Sequence, residues 1–163
     1  MIKIHVVVDS PKWKKKIKNL KKYFNFKQNK FNNFNLSKIK KEFTIFLTSN
    51  YKMKYLNSKF RKINKPTDVL SFPLNIKLKN NIYIGDIAIS YEIVNKRSRK
   101  SLFDHELDRM WIHGYLHLNG YDHVKNIDFV SLTLISLEKG KHSFVFFVIF
   151  GSLNIFAFKT LTL

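Results

Sequence analysis

The sequence predicts an α+β fold, a single domain in which a mixed central sheet packs against helices. Three observations carry this. The chain has 163 residues, 45% of them apolar, which suits one core and is too much for a disordered tail. Stretches that alternate with period two are interspersed with stretches that repeat every three or four residues. No internal repeat interrupts that order.

Taken along the chain, Ile2, Ile4, Val6 and Val8 alternate with Lys3, His5 and Val7, the pattern of a half-buried first strand. Asp9, Ser10 and Pro11 make a helix start. Trp13, Ile17, Leu20 and Phe24 then recur at helical spacing and predict one amphipathic helix with lysines outside. Residues 25–35, rich in Asn and Lys, read as a loop, with a short helix from Leu36 and a strand over 43–47. Val69 to Leu74 reads as a strand, and Pro73, which cannot donate to a ladder, places it at a sheet edge. A further strand runs from Ile82 to Ser90 around Gly85, followed by a basic helix over 91–100. Leu102 to Leu118 carries a helical pattern that Gly120 stops in the left-handed region.

Thirty Lys and Arg residues stand against 11 acidic ones, a formal net charge of +19. That balance suits a polyanionic partner such as RNA, DNA or an anionic membrane. An A/T-rich coding bias inflates Lys in the same way, so the charge permits nucleic-acid binding without establishing it. Cysteine is absent, which excludes disulfides, thiolate zinc fingers, iron–sulfur clusters and a Cys nucleophile. Any metal site must be built from His and carboxylates. The apolar run at the N-terminus is too short for a signal peptide, and a cytoplasmic location follows as the default.

Residues 1–141 are expected to form the domain, with 142–163 a hydrophobic tail. Phe144 to Phe150 is unbrokenly apolar and, after Gly151 and Ser152, the run resumes from Leu153 to Phe158. A membrane helix needs about 20 consecutive apolar residues, so a buried terminal element is favoured over an anchor. A poorly packed appendage is the third reading.

The chemistry concentrates at residues 113–123, which read HGYLHLNGYDH. His113 and His117 are four apart on the expected helix, so their rings share a face. Gly120 lets the chain turn back, and His123 can then supply a third nitrogen at the helix end. Three imidazoles with an open fourth position match a catalytic zinc site, whereas structural sites fill all four. His5, His105 and His142 fall outside this pattern and read as surface residues. Asp122 either orients a ligand ring or caps the turn. The spacing HxxxHxxGxxH is also that of metzincin peptidases, which carry Glu as general base directly after the first His. Here that position is Gly114, which argues against proteolysis.

HGYLHLNGYDH resembles the signature of the YbeY family of bacterial metal-dependent endoribonucleases. Two further segments agree in order and separation. One is Leu56-Asn57 with Arg61 and then Lys65 to Pro73; the other is Gly85 to Ser90. The resemblance covers roughly residues 1–140, and the hydrophobic tail beyond Lys141 departs from it. It implies one zinc ion per chain on His113, His117 and His123, with Arg61 and His113 as candidate catalytic residues. It implies cleavage of single-stranded RNA in maturation of the 3′ end of small-subunit ribosomal RNA and in ribosome quality control. RNA and the ribosome are the partners so implied, and no membrane is expected. Arg61 is one of only four arginines in a Lys-rich chain, which suits a planar phosphate fork. A salt bridge is its structural alternative. The rivals are a zinc metallopeptidase and a non-catalytic ribosome-associated RNA-binding factor.

Overall fold

The computed structural model describes residues 1–34 and 39–120. The expectations for Asp122, His123, His142, the domain limit at 141 and the tail lie outside those residues. The elements in chain order are β1 (Ile2–Val8), α1 (Lys12–Lys16), α2 (Leu20–Phe34), β2 (Lys40–Thr48), α3 (Asn50–Arg61), β3 (Val69–Lys77), β4 (Asn81–Ser90), α4 (Tyr91–Arg97) and α5 (Phe103–Leu118). The sheet runs β1-β2-β4-β3. β1 pairs parallel with β2 and β2 parallel with β4, while β3 pairs antiparallel with β4. The sheet is therefore mixed, and β3 lies at its edge, as Pro73 requires.

Ile87 and Ala88 are consecutive on β4 and so face opposite sides of the sheet. Ile87 joins Phe43, Ile45 and Leu47 under Leu107, Trp111 and Tyr115 of α5 in the main core. Ala88 joins Leu70 of β3 and Met53 of α3 in a second, smaller cluster. α5 and α3 thus cover opposite faces, and the sheet is the middle of three layers.

The sequence expectation fails in three places along the first half. The single helix after Pro11 is two: Ile17 closes α1 in an extended conformation, and Asn19 starts α2, its Oδ1 accepting the Lys22 N–H at 2.9 Å. The loop expected over 25–35 is instead helical through Phe34. Its polar side chains are used against β1: Gln28 Oε1 accepts the Ile4 N–H at 2.8 Å, and Asn32 both accepts from Ile2 N and donates to Ile2 O. These amides substitute for a neighbouring strand, and so a polar stretch gains a reason to stay helical. The strand expected over 43–47 begins earlier, β2 starting at Lys40 and pairing with β1 from Lys41, while residues 36–38 of the helix expected from Leu36 lie outside the described residues.

α3 has no counterpart among the expected elements. Its fully buried residues are only Met53 and Asn57, one turn apart, with Leu56 partly buried against the same cluster and Phe60 on Phe72. Tyr51 and Tyr55 face solvent and blur the apolar stripe. Asn57 donates Nδ2 to the Lys65 carbonyl at 2.7 Å and ties down the segment that follows the helix.

Candidate functional site

The site is organised by α5 and by the edge strand β3. Asp104 and Glu106 in the first turn of α5 complement the helix dipole. One turn on, Asp108 is fully buried and accepts from Lys27 Nζ at 2.5 Å, Tyr23 Oη at 2.7 Å and Trp111 Nε1 at 2.9 Å. This cluster fastens α5 to α2. Burial, reinforced by the Asp108 charge, drives the Tyr23 phenol pKa far upward, so Tyr23 stays a donor. Burial and then the charge of Asp108 also raise the Asp104 carboxyl.

Further along α5, Gly114 faces Ile87 of β4. A Cβ added there would lie 2.5 Å from Ile87 Cγ2 and 3.1 Å from its Cδ1. The helix rides that close to the sheet only because the side chain is absent. Ser71 Oγ of β3 donates to the Gly114 carbonyl at 3.2 Å and fixes the strand to the same turn. Gly85, with φ +136°, is the matching concession on β4, where a Cβ would collide with the Phe72 carbonyl and meet Leu118 at 2.9 Å.

His113 and His117 flank this close approach and are half-buried. Their Nε2 atoms are 3.1 Å apart, with ring centroids at 4.6 Å and planes at 80°. Two nitrogens bound to one tetrahedral zinc at about 2.0–2.1 Å stand about 3.3 Å from each other, so the pair fits a shared ion. Gly120 takes φ +84° just beyond α5, the left-handed stop expected there. Among the described residues no group of three metal-type side chains is assembled, and His123 lies outside them.

Arg61 is exposed at the last position of α3. Its neighbour Phe60 packs edge-on against Phe72 of β3, with ring centroids 5.0 Å apart. Ser71, the next residue on β3, bonds the carbonyl of Gly114, which follows His113 in sequence. Arg61 and the histidine pair thus lie on helices that touch the edge strand from opposite faces of the sheet.

Among the described carboxylates of α5, Asp108 is committed to its three donors, and Glu106 Oε1 accepts from Ser101 and Arg109 while its Oε2 is buried without a hydrogen-bond partner. A Glu in place of Gly114 would push α5 off β4. Of the histidines set aside, His5 lies on β1 and meets Glu42 at 2.7 Å on the face away from the main core. The His5 contact, opposed by burial and helped by Lys3, lowers the Glu42 carboxyl below its ordinary value. The Asp108 cluster and Ser71 were not singled out from sequence. An Asp within the apolar flank of a helix, two residues before Met110 and Trp111, was the available signal for the first.

The chain matches the family model described as Endoribonuclease YbeY over residues 5–134. It is 46% identical over 134 residues to Endoribonuclease YbeY of Pelagibacter ubique, covering 79% of this chain and 88% of that protein. The protein of the same name from Ehrlichia canis is 41% identical over 58% of this chain and 62% of its own length. That of a Wolbachia pipientis strain is 37% identical over 63% and 74%. A solution structure of a Thermotoga maritima protein aligns at 32% identity over 74% of this chain and 75% of that one, with a TM-score of 0.48.

Proposed function

The chain belongs to the YbeY endoribonuclease family, and from that premise we propose that it cleaves single-stranded RNA by metal-assisted hydrolysis of a phosphodiester. Zinc is the metal, held by His113, His117 and His123, one ion per chain. The work is maturation of the 3′ end of small-subunit ribosomal RNA and ribosome quality control, in the cytoplasm. No helix among the described residues is long and apolar enough to cross a membrane.

The observation that carries this reading is the convergence of the two Nε2 atoms at 3.1 Å on the half-buried turn of α5. When bound, zinc supplies Lewis acidity toward a phosphoryl oxygen and makes hydroxide available near neutral pH. The chain's own contribution is positioning and charge. The packing of Gly114 on Ile87 holds the turn that bears the imidazoles, so their nitrogens need no rearrangement to act together. Arg61 offers a planar fork of donors to the phosphate oxygens as charge develops on them. The strand β3 supports both sides, and the surrounding lysines hold the RNA backbone.

The test compares cleavage of single-stranded and duplex RNA by the full chain, with metal removed by a chelator and zinc restored. The reading expects cleavage of the single strand only, lost on chelation and regained with zinc. RNA binding without cleavage in every condition would favour a non-catalytic ribosome-associated factor. Hydrolysis of a peptide but not of RNA would favour the peptidase.

A further inference from the structure

The outward face of α3 carries exposed aromatic rings that belong to neither core cluster. Tyr51 is 86% exposed, Tyr55 54% and Phe60 56%; among the described residues the only other strongly exposed aromatic ring is Phe26. Neither tyrosine belongs to either core cluster. They are four residues apart, so the two rings lie one above the other on one helix face. Lysines are interleaved with them: Lys52 lies 5.5 Å from the Tyr55 ring, and Lys59 lies 6.0 Å from Tyr55 and 5.5 Å from Phe60. The helix NYKMKYLNSKFR contains no acidic residue, and Arg61 ends it.

We infer that this face is a stacking platform for unpaired nucleobases, with Tyr51 and Tyr55 as the ring surfaces that position single-stranded RNA along α3 toward Arg61. The inference rests on the endoribonuclease reading for the identity of the strand. Exposed rings flanked by cations are what a single strand needs from a protein, because every base offers a π-face and every linkage a negative charge. A duplex, with its bases already stacked on each other, gains nothing from these rings, so the platform also adds preference for single strands. Phe60 is left out of the platform because its ring already packs on Phe72.

The test measures binding of the full chain to a short 2′-O-methyl oligouridylate and to an abasic strand of the same length, by fluorescence anisotropy at fixed salt. The double variant Tyr51→Ala/Tyr55→Ala should lose about tenfold or more in affinity for the base-bearing strand and keep its affinity for the abasic one. Tyr51→Phe/Tyr55→Phe should bind like wild type, since stacking uses the ring and not the hydroxyl. Thermal unfolding of the Ala variant should match wild type, because both side chains are solvent-facing. Undiminished affinity for the base-bearing strand would overturn the inference, as would equal losses on both strands. Unchanged RNA binding with weakened sedimentation on ribosomal subunits would make the face a protein-docking surface and overturn it too. Cleavage of unmodified single-stranded RNA by wild type, run alongside, separates the two ideas. An inert wild type with the base-selective loss intact sinks the nuclease reading alone, and normal cleavage without that loss sinks the platform alone.

Discussion

Gly114→Ala tests the claim that a close helix–sheet approach holds the histidine turn. The added methyl would sit 2.5 Å from Ile87 Cγ2, 3.1 Å from Cδ1 and 3.2 Å from Cγ1, against about 3.4 Å or more for ordinary contact. Ile87 is fully buried in the main core, so any shift of it disturbs its neighbours. Overpacking of this kind costs typically about 1–3 kcal/mol, and close contact with three atoms of one buried side chain puts this case near 3. Alanine's better helix propensity returns about 1 kcal/mol, leaving a net loss of about 2 kcal/mol. For a chain of this size that lowers Tm by about 4–8 °C. Ile87→Ala removes all three clashing atoms, at its own cost of about 2–5 kcal/mol. In that background Gly114→Ala should change sign and stabilise by up to about 1 kcal/mol, so the double-mutant cycle isolates the contact. Chemical denaturation of the four proteins reads it out. A Gly114→Ala protein as stable as wild type, or equally destabilised in both backgrounds, would refute the packing argument.

Three other perturbations follow from the same geometry. Arg61→Lys keeps the charge but not the fork, so single-stranded RNA affinity should stay near wild type while cleavage falls at least about tenfold, a loss of about 1.4 kcal/mol or more in kcat/KM; near wild-type turnover would remove Arg61 from the mechanism. Lys27→Met strands the fully buried Asp108 charge and should cost about 3–5 kcal/mol by urea denaturation, with part of it recovered on adding Asp108→Asn. Because the Glu42 carboxyl is lowered in the folded chain, its contribution is fully present above the ordinary value of 4.5 and is lost as pH falls through the lowered one. Glu42→Gln should therefore flatten the fall of Tm with pH below that value, and a slope identical to wild type would contradict the role of His5 and Lys3 there.

The parts of the fold legible in the sequence are those whose pattern reports their own burial. β1 alternates because one face is covered, β3 announces its edge position through Pro73, and α5 ends where Gly120 takes a positive φ. The misread parts are those whose stability comes from elsewhere in the chain. α2 persists through an Asn- and Lys-rich stretch because Gln28 and Asn32 bond the free edge of β1, a partner more than twenty residues away. α3 has no counterpart in the sequence reading because polar Asn57 takes a buried position while Tyr51 and Tyr55 face solvent, which blurs the stripe of Met53, Leu56 and Phe60. At the site, the i, i+4 spacing sufficed to bring His113 and His117 together, since helix geometry is local. The placement of Arg61 across β3 needed α3, Phe60 and Phe72, and so could not come from spacing. Gly114 was legible only as a missing Glu; its packing against Ile87 gives the physical reason that no side chain stands there.

The most direct test of the account is the cleavage rate of single-stranded RNA by His117→Ala relative to wild type, at RNA concentrations that saturate both. If the two imidazoles converge on an ion that the chemistry needs, the variant should retain RNA binding, carry no stoichiometric zinc by elemental analysis, and cleave more than about a hundredfold more slowly. Cleavage within a few-fold of wild type by a zinc-free His117→Ala protein would contradict the account.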